Sequence, residues 1–344
     1  MDIMRHGHDL FRPKGTRTPG GADYPLFTND MFVLVDLLPS VTRSSTVVGV
    51  VDTGLVLDDV THMPHPWIGN RASCTEEERD RLEVGHRDRH QPGYLADADG
   101  HGTFVTGLIL NEARTARVIM RGVLDRADET RLALDADDDA NVARAVSELA
   151  ENSDVKVINL SFAGGAFAEK PENLYEVIQA IHQRVAVVAA AGNDASDAPV
   201  WPAAYPEVIS VGAVDERNLI SPEGTPRLAN FSNCGDWVDA YAVGLKLLGP
   251  FVNFDETKAG HDTYGIREPQ QFQGWARWSG TSFAAAIVSG RIAQMAIEKP
   301  ELSGADAATA VLKGSPYIFG NRARWVRGAN RLQGQASWTS APPN

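Results

Sequence analysis

The stretch GWARWSGTSFAAAIVSG, residues 274–290, decides how the rest of the chain is read. Its second half, from Phe283 to Val288, is an unbroken apolar run that reads as a buried helix. Ser282 stands at the entrance of that helix, behind Gly280 and Thr281. A serine so placed is open to two readings. It could be an ordinary helix cap that accepts a backbone N–H. It could also be a nucleophile at a helix N-terminus, where the positive end of the dipole favours developing negative charge. The segment alone leaves both open. A nucleophile requires a base, an orienting carboxylate and an oxyanion donor elsewhere in the chain.

Working outward, apolar runs alternate with helical patterns. TVVGVVD (46–52), ARVIMRGVL (116–124), VKVINLSF (155–162), VAVVAAAGN (185–193) and EVISVGAV (207–214) read as strands. TFVTGLIL (103–110), NVARAVSELAEN (141–152) and NLYEVIQAIHQR (173–184) read as helices. Strands this uniformly apolar are buried on both faces, as in a parallel sheet covered by helices. The fold class expected is three-layer α/β/α with a mostly parallel central sheet. Residues 1–45, mixed in charge and rich in Pro and Gly, read as an N-terminal arm, 46–325 as one catalytic domain, and 326–344 as a C-terminal tail. Two segments interrupt the rhythm, 58–99 and 246–275, and both read as long surface excursions of the kind that bind or cover.

The 344 residues include 43% hydrophobic and 22% charged, the balance of a soluble globular chain with a sizeable core. A net charge of −13 disfavours nucleic acid and anionic membrane surfaces as partners. The start, MDIMRHGHDLFRPKG, lacks the apolar core of a secretory signal, and MFVLVDLL (31–38) is too short to span a bilayer. With only two cysteines, Cys74 and Cys234, disulfides do not build the fold. These features predict a cytoplasmic protein.

In open parallel sheets, functional groups gather where strands end and helices begin. Asp52 ends the strand in VVGVVDTGL. His101 lies between two glycines in DADGHGTFVTG, just before a helix. Asn193 follows the strand VAVVAAAGN, and Ser282 opens the helix in SGTSFAAA. Chemistry explains why these types belong together. A serine hydroxyl is a poor nucleophile until an imidazole removes its proton. The imidazole needs a carboxylate to fix its tautomer and stabilise its charged form. The oxyanion that follows needs preorganised donors, which an Asn amide and backbone N–H groups can supply.

The order Asp, His, Ser, within DTG, HGT and GTS and with a GN-bearing strand between, resembles the subtilisin-like serine proteases over roughly residues 45–320. The resemblance implies an orienting Asp52, a general base His101, a nucleophile Ser282 and an oxyanion-hole Asn193. Two departures touch the packing behind these groups: Phe283-Ala284-Ala285-Ala286-Ile287 replaces the usual Met-Ala-x-Pro-His, and Phe104 stands where a histidine is common. The calcium-binding insert of many relatives after the catalytic histidine is missing from HGTFVTGLILNEARTARVIM, so neither that metal site nor any cofactor is expected. His62, His65, His86, His90 and Cys74 match no tight zinc spacing and read as a solvated insertion.

The resemblance further implies a protein or peptide substrate laid along an edge formed by Ser161, Phe162, Ala163 and Gly164, with a second edge within 128–139. Asp135, Asp137, Asp138 and Asp139 could hold basic substrate side chains, or could simply cap and charge-match the helix NVARAVSELA. Val200, ahead of WPAAYP, implies a shallow primary pocket for small or medium apolar side chains. The N-terminal arm would either lie across the site or pack on the domain. Oligomeric state is not legible. The function expected is a serine endopeptidase acting on a restricted set of substrates. A silent binding module on the same fold, and a peptide ligase or cyclase on the same triad, are the alternatives. An α/β-hydrolase is disfavoured, because Gly280-Thr281-Ser282-Phe283-Ala284 lacks the second glycine of that fold's nucleophile turn.

Overall fold

Strands buried on both faces must sit mid-sheet, and the computed structural model puts the apolar runs there. It describes residues 46–80, 82, 95, 98–124, 136–162, 170–219, 224–256, 270–319 and 323–329. The main sheet is built from β1 (Val47–Asp52), β2 (Ala72–Ser73), β3 (Arg117–Gly122), β4 (Val155–Leu160), β5 (Ala186–Ala190) and β6 (Val208–Leu219). It is completed by β7 (Pro226–Leu228), β8 (Ala240–Val243), β11 (Tyr317–Ile318) and β12 (Ala323–Trp325), while β9 (Leu247–Asp255) and β10 (Gln271–Trp278) form a separate antiparallel hairpin. The order is β11-β12-β8-β6-β5-β4-β1-β3-β2, with β7 paired to β6. Every neighbour from β2 to β12 is parallel, and only β7 and β11 run against the rest.

Alternation along β1 divides the core in two. Val48 and Val50 face a cluster that holds Phe104, Val105 and Ala284 to Val288, from α1 (His101–Glu112) and α4 (Thr281–Glu298). Val47 and Val51 face the other cluster, supplied by α2 (Ala136–Glu151) and α3 (Glu172–Ile181). Helix α5 (Gly304–Gly314) packs beside α4 through Ala307 and Ala308. The result is a mostly parallel sheet between two helical layers, as expected. Among the described residues, no helix is long and apolar enough to cross a membrane.

The two excursions differ from the sequence reading. The described part of 246–275 is a hairpin whose first strand is buried from Leu247 to Val252, because it packs along α1. The contact is close: a Cβ on Gly107 would lie 2.3 Å from Pro250 Cδ, so only glycine admits β9 there. The 58–99 segment, read as solvated, in its described part docks on that hairpin. His65 is half-buried with its ring edge-on to Trp275 at 5.2 Å, and Trp67 meets the same indole at 5.9 Å. Apolar aromatics held each segment down where loop composition suggested solvent. His86 and His90 lie outside the described residues; His62 is exposed and 3.7 Å from Glu76. Among the described residues, no three His, Cys, Asp or Glu gather as a metal site would require.

The reading of 326–344 as a tail also changes at its start. Val326 is buried and donates its N–H to the Tyr241 carbonyl, and Ala329 N–H donates to Glu112 Oε2 at 2.6 Å. The packed domain therefore reaches at least Ala329.

Candidate active site

Strand β1 ends in Asp52, and the parallel arrangement brings that end beside the start of α1. The outcome is a buried pair: Asp52 Oδ1 lies 2.7 Å from His101 Nδ1, with both side chains almost wholly shielded from water. The Thr53 N–H donates to the same Oδ1 at 2.7 Å. Asp52 Oδ2 is buried with no hydrogen-bond partner among the described residues, so Oδ1 carries both bonds. This arrangement assigns the proton to Nδ1 and turns Nε2, the nitrogen that can act as base, away from the carboxylate.

The imidazole sits against an aromatic wall. Its ring centroid is 5.5 Å from that of Trp278 and 5.4 Å from that of Phe283, and Phe104 packs on both of those rings. Phe104 and Phe283 are the two departures noted in the sequence. They pack ring to ring at 4.6 Å, so each fills space that the other requires.

Helix α4 resolves the first ambiguity in the opening stretch. Its N-cap residue is Gly280, and Ser282 lies inside the first turn. The Ser282 hydroxyl donates to the Ser161 carbonyl at 2.9 Å, so it does not cap the helix. The cap comes from another segment: Asn193 Oδ1 accepts the Thr281 N–H at 2.9 Å and the Thr281 hydroxyl at 3.0 Å. Since a backbone N–H can only donate, the atom facing it must be the amide oxygen, and the Asn193 amine is directed away from Thr281. The turn that presents Asn193 is itself constrained. Gly192 has φ +99°, its N–H donates to Thr281 Oγ1 at 3.1 Å, and a Cβ there would meet Asn233 Nδ2 at 2.5 Å.

Three of the candidates therefore meet the first turn of α4. Asn193 bonds to Thr281, Ser161 exchanges hydrogen bonds with Ser282, and His101 packs against Phe283. Of the candidate substrate edge, Ser161 is buried at the end of β4, with its hydroxyl donating to the Ser282 carbonyl at 2.9 Å. Phe162 turns its side chain into the α2–α3 core and is buried. Ala163 and Gly164 lie outside the described residues, as do residues 125–135 of the second edge. Val200 is half-buried against the core.

Three features escaped the sequence reading. Asn233, wholly buried, accepts the N–H groups of Asp194 and Ser196 at 2.9 and 3.0 Å and donates to the Ala191 carbonyl at 2.8 Å, which holds the Asn193 turn in shape. A polar line runs through the core beneath Ser282: Ser289 Oγ donates to Asn159 Oδ1 at 2.9 Å, and Asn159 Nδ2 donates to Ser161 Oγ at 2.7 Å. Asn159 interrupts the apolar run that follows Lys156 in β4, a signal that was available in VKVINLSF. The third concerns Asp139. It caps neither its own helix nor a pocket; its carboxylate accepts the Asn173 and Leu174 N–H groups, at 3.0 and 2.9 Å, at the start of α3. Asp135 lies outside the described residues, and the side chains of Asp137 and Asp138 do as well.

Comparison with known proteins accords with this geometry. The model of the subtilase family matches residues 43–335. The chain belongs to the subtilase family. Among relatives of this subtilase, a thermophilic serine proteinase from Bacillus sp. (strain AK1) is 33% identical over 206 residues, which is 58% of this chain and 43% of that protein. The chain spans less than half the length of that relative and of two similar fungal proteases. The structure of the prenylagaramide maturation protease PagA superposes with a TM-score of 0.58 at 24% identity, covering 86% of this chain and 95% of that one. The self-cleaved protease domain of PatA superposes at 0.53 with 25% identity, covering 79% of this subtilase and 88% of that domain.

Proposed function

We propose that this subtilase is a serine endopeptidase that uses Ser282 as nucleophile, His101 as general base and then acid, Asp52 as the orienting carboxylate and Asn193 as an oxyanion donor. The observation that carries the reading is the buried 2.7 Å Asp52–His101 hydrogen bond set beside the first turn of the helix that holds Ser282. In the resting state the serine proton is parked on the Ser161 carbonyl. Rotation about one side-chain bond transfers that donor to His101 Nε2. The move frees the Ser161 carbonyl to accept an N–H from an extended peptide, so substrate docking and nucleophile activation draw on the same group.

As Ser282 attacks, its proton passes to His101, and the oxyanion that forms faces the Asn193 amine and the first-turn N–H groups of α4. A pre-oriented donor of this kind lowers the barrier because it needs no reorganisation as charge develops. Asn193 is pre-oriented by Thr281 and, through its turn, by Asn233. A restricted substrate set is supported by the cover over α1 and by the likeness to PatA, whose protease domain is described as self-cleaved. Two unpaired thiols, Cys74 and Cys234, fit a reducing compartment such as the cytoplasm.

The test is reaction of the purified protein with a fluorophosphonate probe beside a Ser282→Ala control. Mass added at Ser282 and lost in the control is the expected result. A folded protein that takes up no probe would overturn the peptidase reading in favour of a binding role for the fold.

A further inference from the structure

The described part of the 58–99 segment reaches the Asp52–His101 pair through Asp80. Asp80 is 1% exposed, and its Oδ2 accepts two donors from opposite sides of the Asp52–His101 pair. One is Thr53 Oγ1 at 3.2 Å, from the residue after Asp52; the other is the Gly100 N–H at 2.9 Å, from the residue before His101. Thr53 Oγ1 in turn accepts the Gly102 N–H at 3.1 Å, from the residue after His101. A closed set of bonds therefore joins the exit of β1 to the entrance of α1, and Asp80 is the member that belongs to neither.

The backbone around Asp80 is wedged in place. Its N–H donates to the Leu55 carbonyl at 2.8 Å. A Cβ on Gly54 would lie 2.3 Å from the Glu78 carbonyl oxygen, and one on Gly122 would lie 2.1 Å from the same atom. The segment thus presses on the C-terminal ends of β1 and β3, and Glu78 Oε2 lies 3.4 Å from Arg121 on β3. Such a carboxylate, nearly excluded from water and accepting hydrogen bonds on both sides of the pair, has a purpose beyond filling a loop: buried charge is costly unless several donors meet it.

We infer that Asp80 is a positioning residue for the Asp52–His101 pair, and that through it the 58–99 segment sets the geometry of the active site. The inference rests on the peptidase reading for its consequence in catalysis, but not for its structural content. Without Asp80, Thr53 and Gly100 lose their common acceptor, and the two backbones that carry the carboxylate and the imidazole are joined only through the Gly102–Thr53 bond and the pair itself among the bonds described above. Displacements on the order of 1 Å at such a pair cost about 10²-fold in rate.

The experiment measures two things on full-length wild type, Asp80→Ala, Asp80→Asn and Thr53→Val, each shown to be folded by near-ultraviolet circular dichroism. The first is fluorophosphonate labelling of Ser282 as a function of probe concentration, which separates the maximal rate from half-saturation. The second is the far-downfield proton resonance of the His101 Nδ1–H, assigned by its loss in His101→Gln. Asp80→Ala is expected to lower the maximal rate by about 10- to 100-fold with half-saturation little changed, and to shift or broaden the resonance. Asp80→Asn, whose amide oxygen can still accept from Gly100 and Thr53, should restore most of both. Thr53→Val leaves Asp80 and its bond to the Gly100 N–H in place but removes both the bond to Asp80 and the acceptor of the Gly102 N–H; it should move both readouts in the same direction and serves if Asp80→Ala does not fold. Folded variants with wild-type rate and resonance would overturn the positioning role while leaving the peptidase reading intact. A wild type that resists the probe, yet whose resonance moves in Asp80→Ala, would overturn the peptidase reading and uphold the positioning role.

Discussion

Helices α1 and α3 have similar lengths and opposite surroundings. All twelve residues of α1 are buried, whereas α3 buries only Leu174, Ile178 and Ile181. A helix such as α3 is oriented by its apolar stripe, since any rotation exposes it. A helix buried on every side has no such reference. Rotating α1 would exchange one apolar environment for another, so its azimuth must be fixed by specific contacts. The structure supplies them at its start, through Asp52–His101 and Asp80–Gly100, and at its far end, through Glu112–Ala329. Helix α4 is treated alike, with Asn193 on Thr281 and Ser161 on Ser282. The lesson is that α1 and the buried start of α4 depend on polar stitches for their azimuth, whereas α3 has an apolar stripe to orient it as well as its stitch from Asp139.

If that division holds, the largest effect comes from cutting a stitch that also serves the reaction. Asn193→Ala should lower kcat by about 10²–10³-fold with a smaller change in KM, measured on any peptide the wild type cleaves. An effect below tenfold would mean that the oxyanion is held elsewhere.

The cover over α1 should be acid-sensitive. Burial lowers the His65 pKa to about 4, against a partial opposing contribution from its hydrogen bond to Gly274. The neutral ring accepts the Trp67 N–H at Nδ1, a bond that a proton there would abolish. The folded value lies below the unfolded one, so this contribution is fully present above about pH 6.5 and is lost as pH falls from there towards 4. Urea midpoints should therefore drop across that window by an amount equivalent to a few kcal/mol, and His65→Gln should flatten the slope. An unchanged slope in that variant would place the acid sensitivity elsewhere.

Next in size is Gly107→Ala. On an exposed helix alanine would stabilise, yet here its Cβ would strike Pro250 and should cost roughly 1–3 kcal/mol in chemical denaturation. Stabilisation instead would show that the hairpin yields and that α1 is less tightly covered than its burial suggests. The smallest effect belongs to the outer pair. Asp139→Ala removes the acceptor at the start of α3 and should cost roughly 0.5–2 kcal/mol, with no change in preference for Arg or Lys beside the scissile bond. A shift in that preference would return Asp139 to the substrate site.

The same division explains what the sequence disclosed. Asp52, His101, Asn193 and Ser282 were legible as candidates because each ends a strand or opens a helix within a short, Gly-containing motif, and the apolar runs announced a parallel sheet. The stripe of α3 was legible from periodicity alone. Asp80, Asn233 and the docking of His65 on Trp275 were not, because each depends on contact between segments distant in sequence. Asp80 meets Gly100 across twenty positions of polar chain, and Asn233 meets Asp194 across thirty-nine. Nothing in RDRLE or FSNCG distinguishes such a residue from a solvated one. The hairpin around Pro250 was misread for a related reason: Gly and Pro signal loops on average, but Gly249 and Pro250 here fit β9 closely against Phe104 and Gly107.

The Glu112–Ala329 contact has a consequence for the order in which the protein is made. Its partners are 217 positions apart, and the acceptor is at the end of the very helix that begins with His101. A ribosome delivers His101 early and Ser282 late, and the donor that fastens the far end of α1 emerges later still. Until then Glu112 lacks that donor, and α1 lacks its distal anchor. On the roles proposed above, competence for peptide cleavage would thus mature only after Ala329 has left the exit tunnel and can fasten the far end of α1.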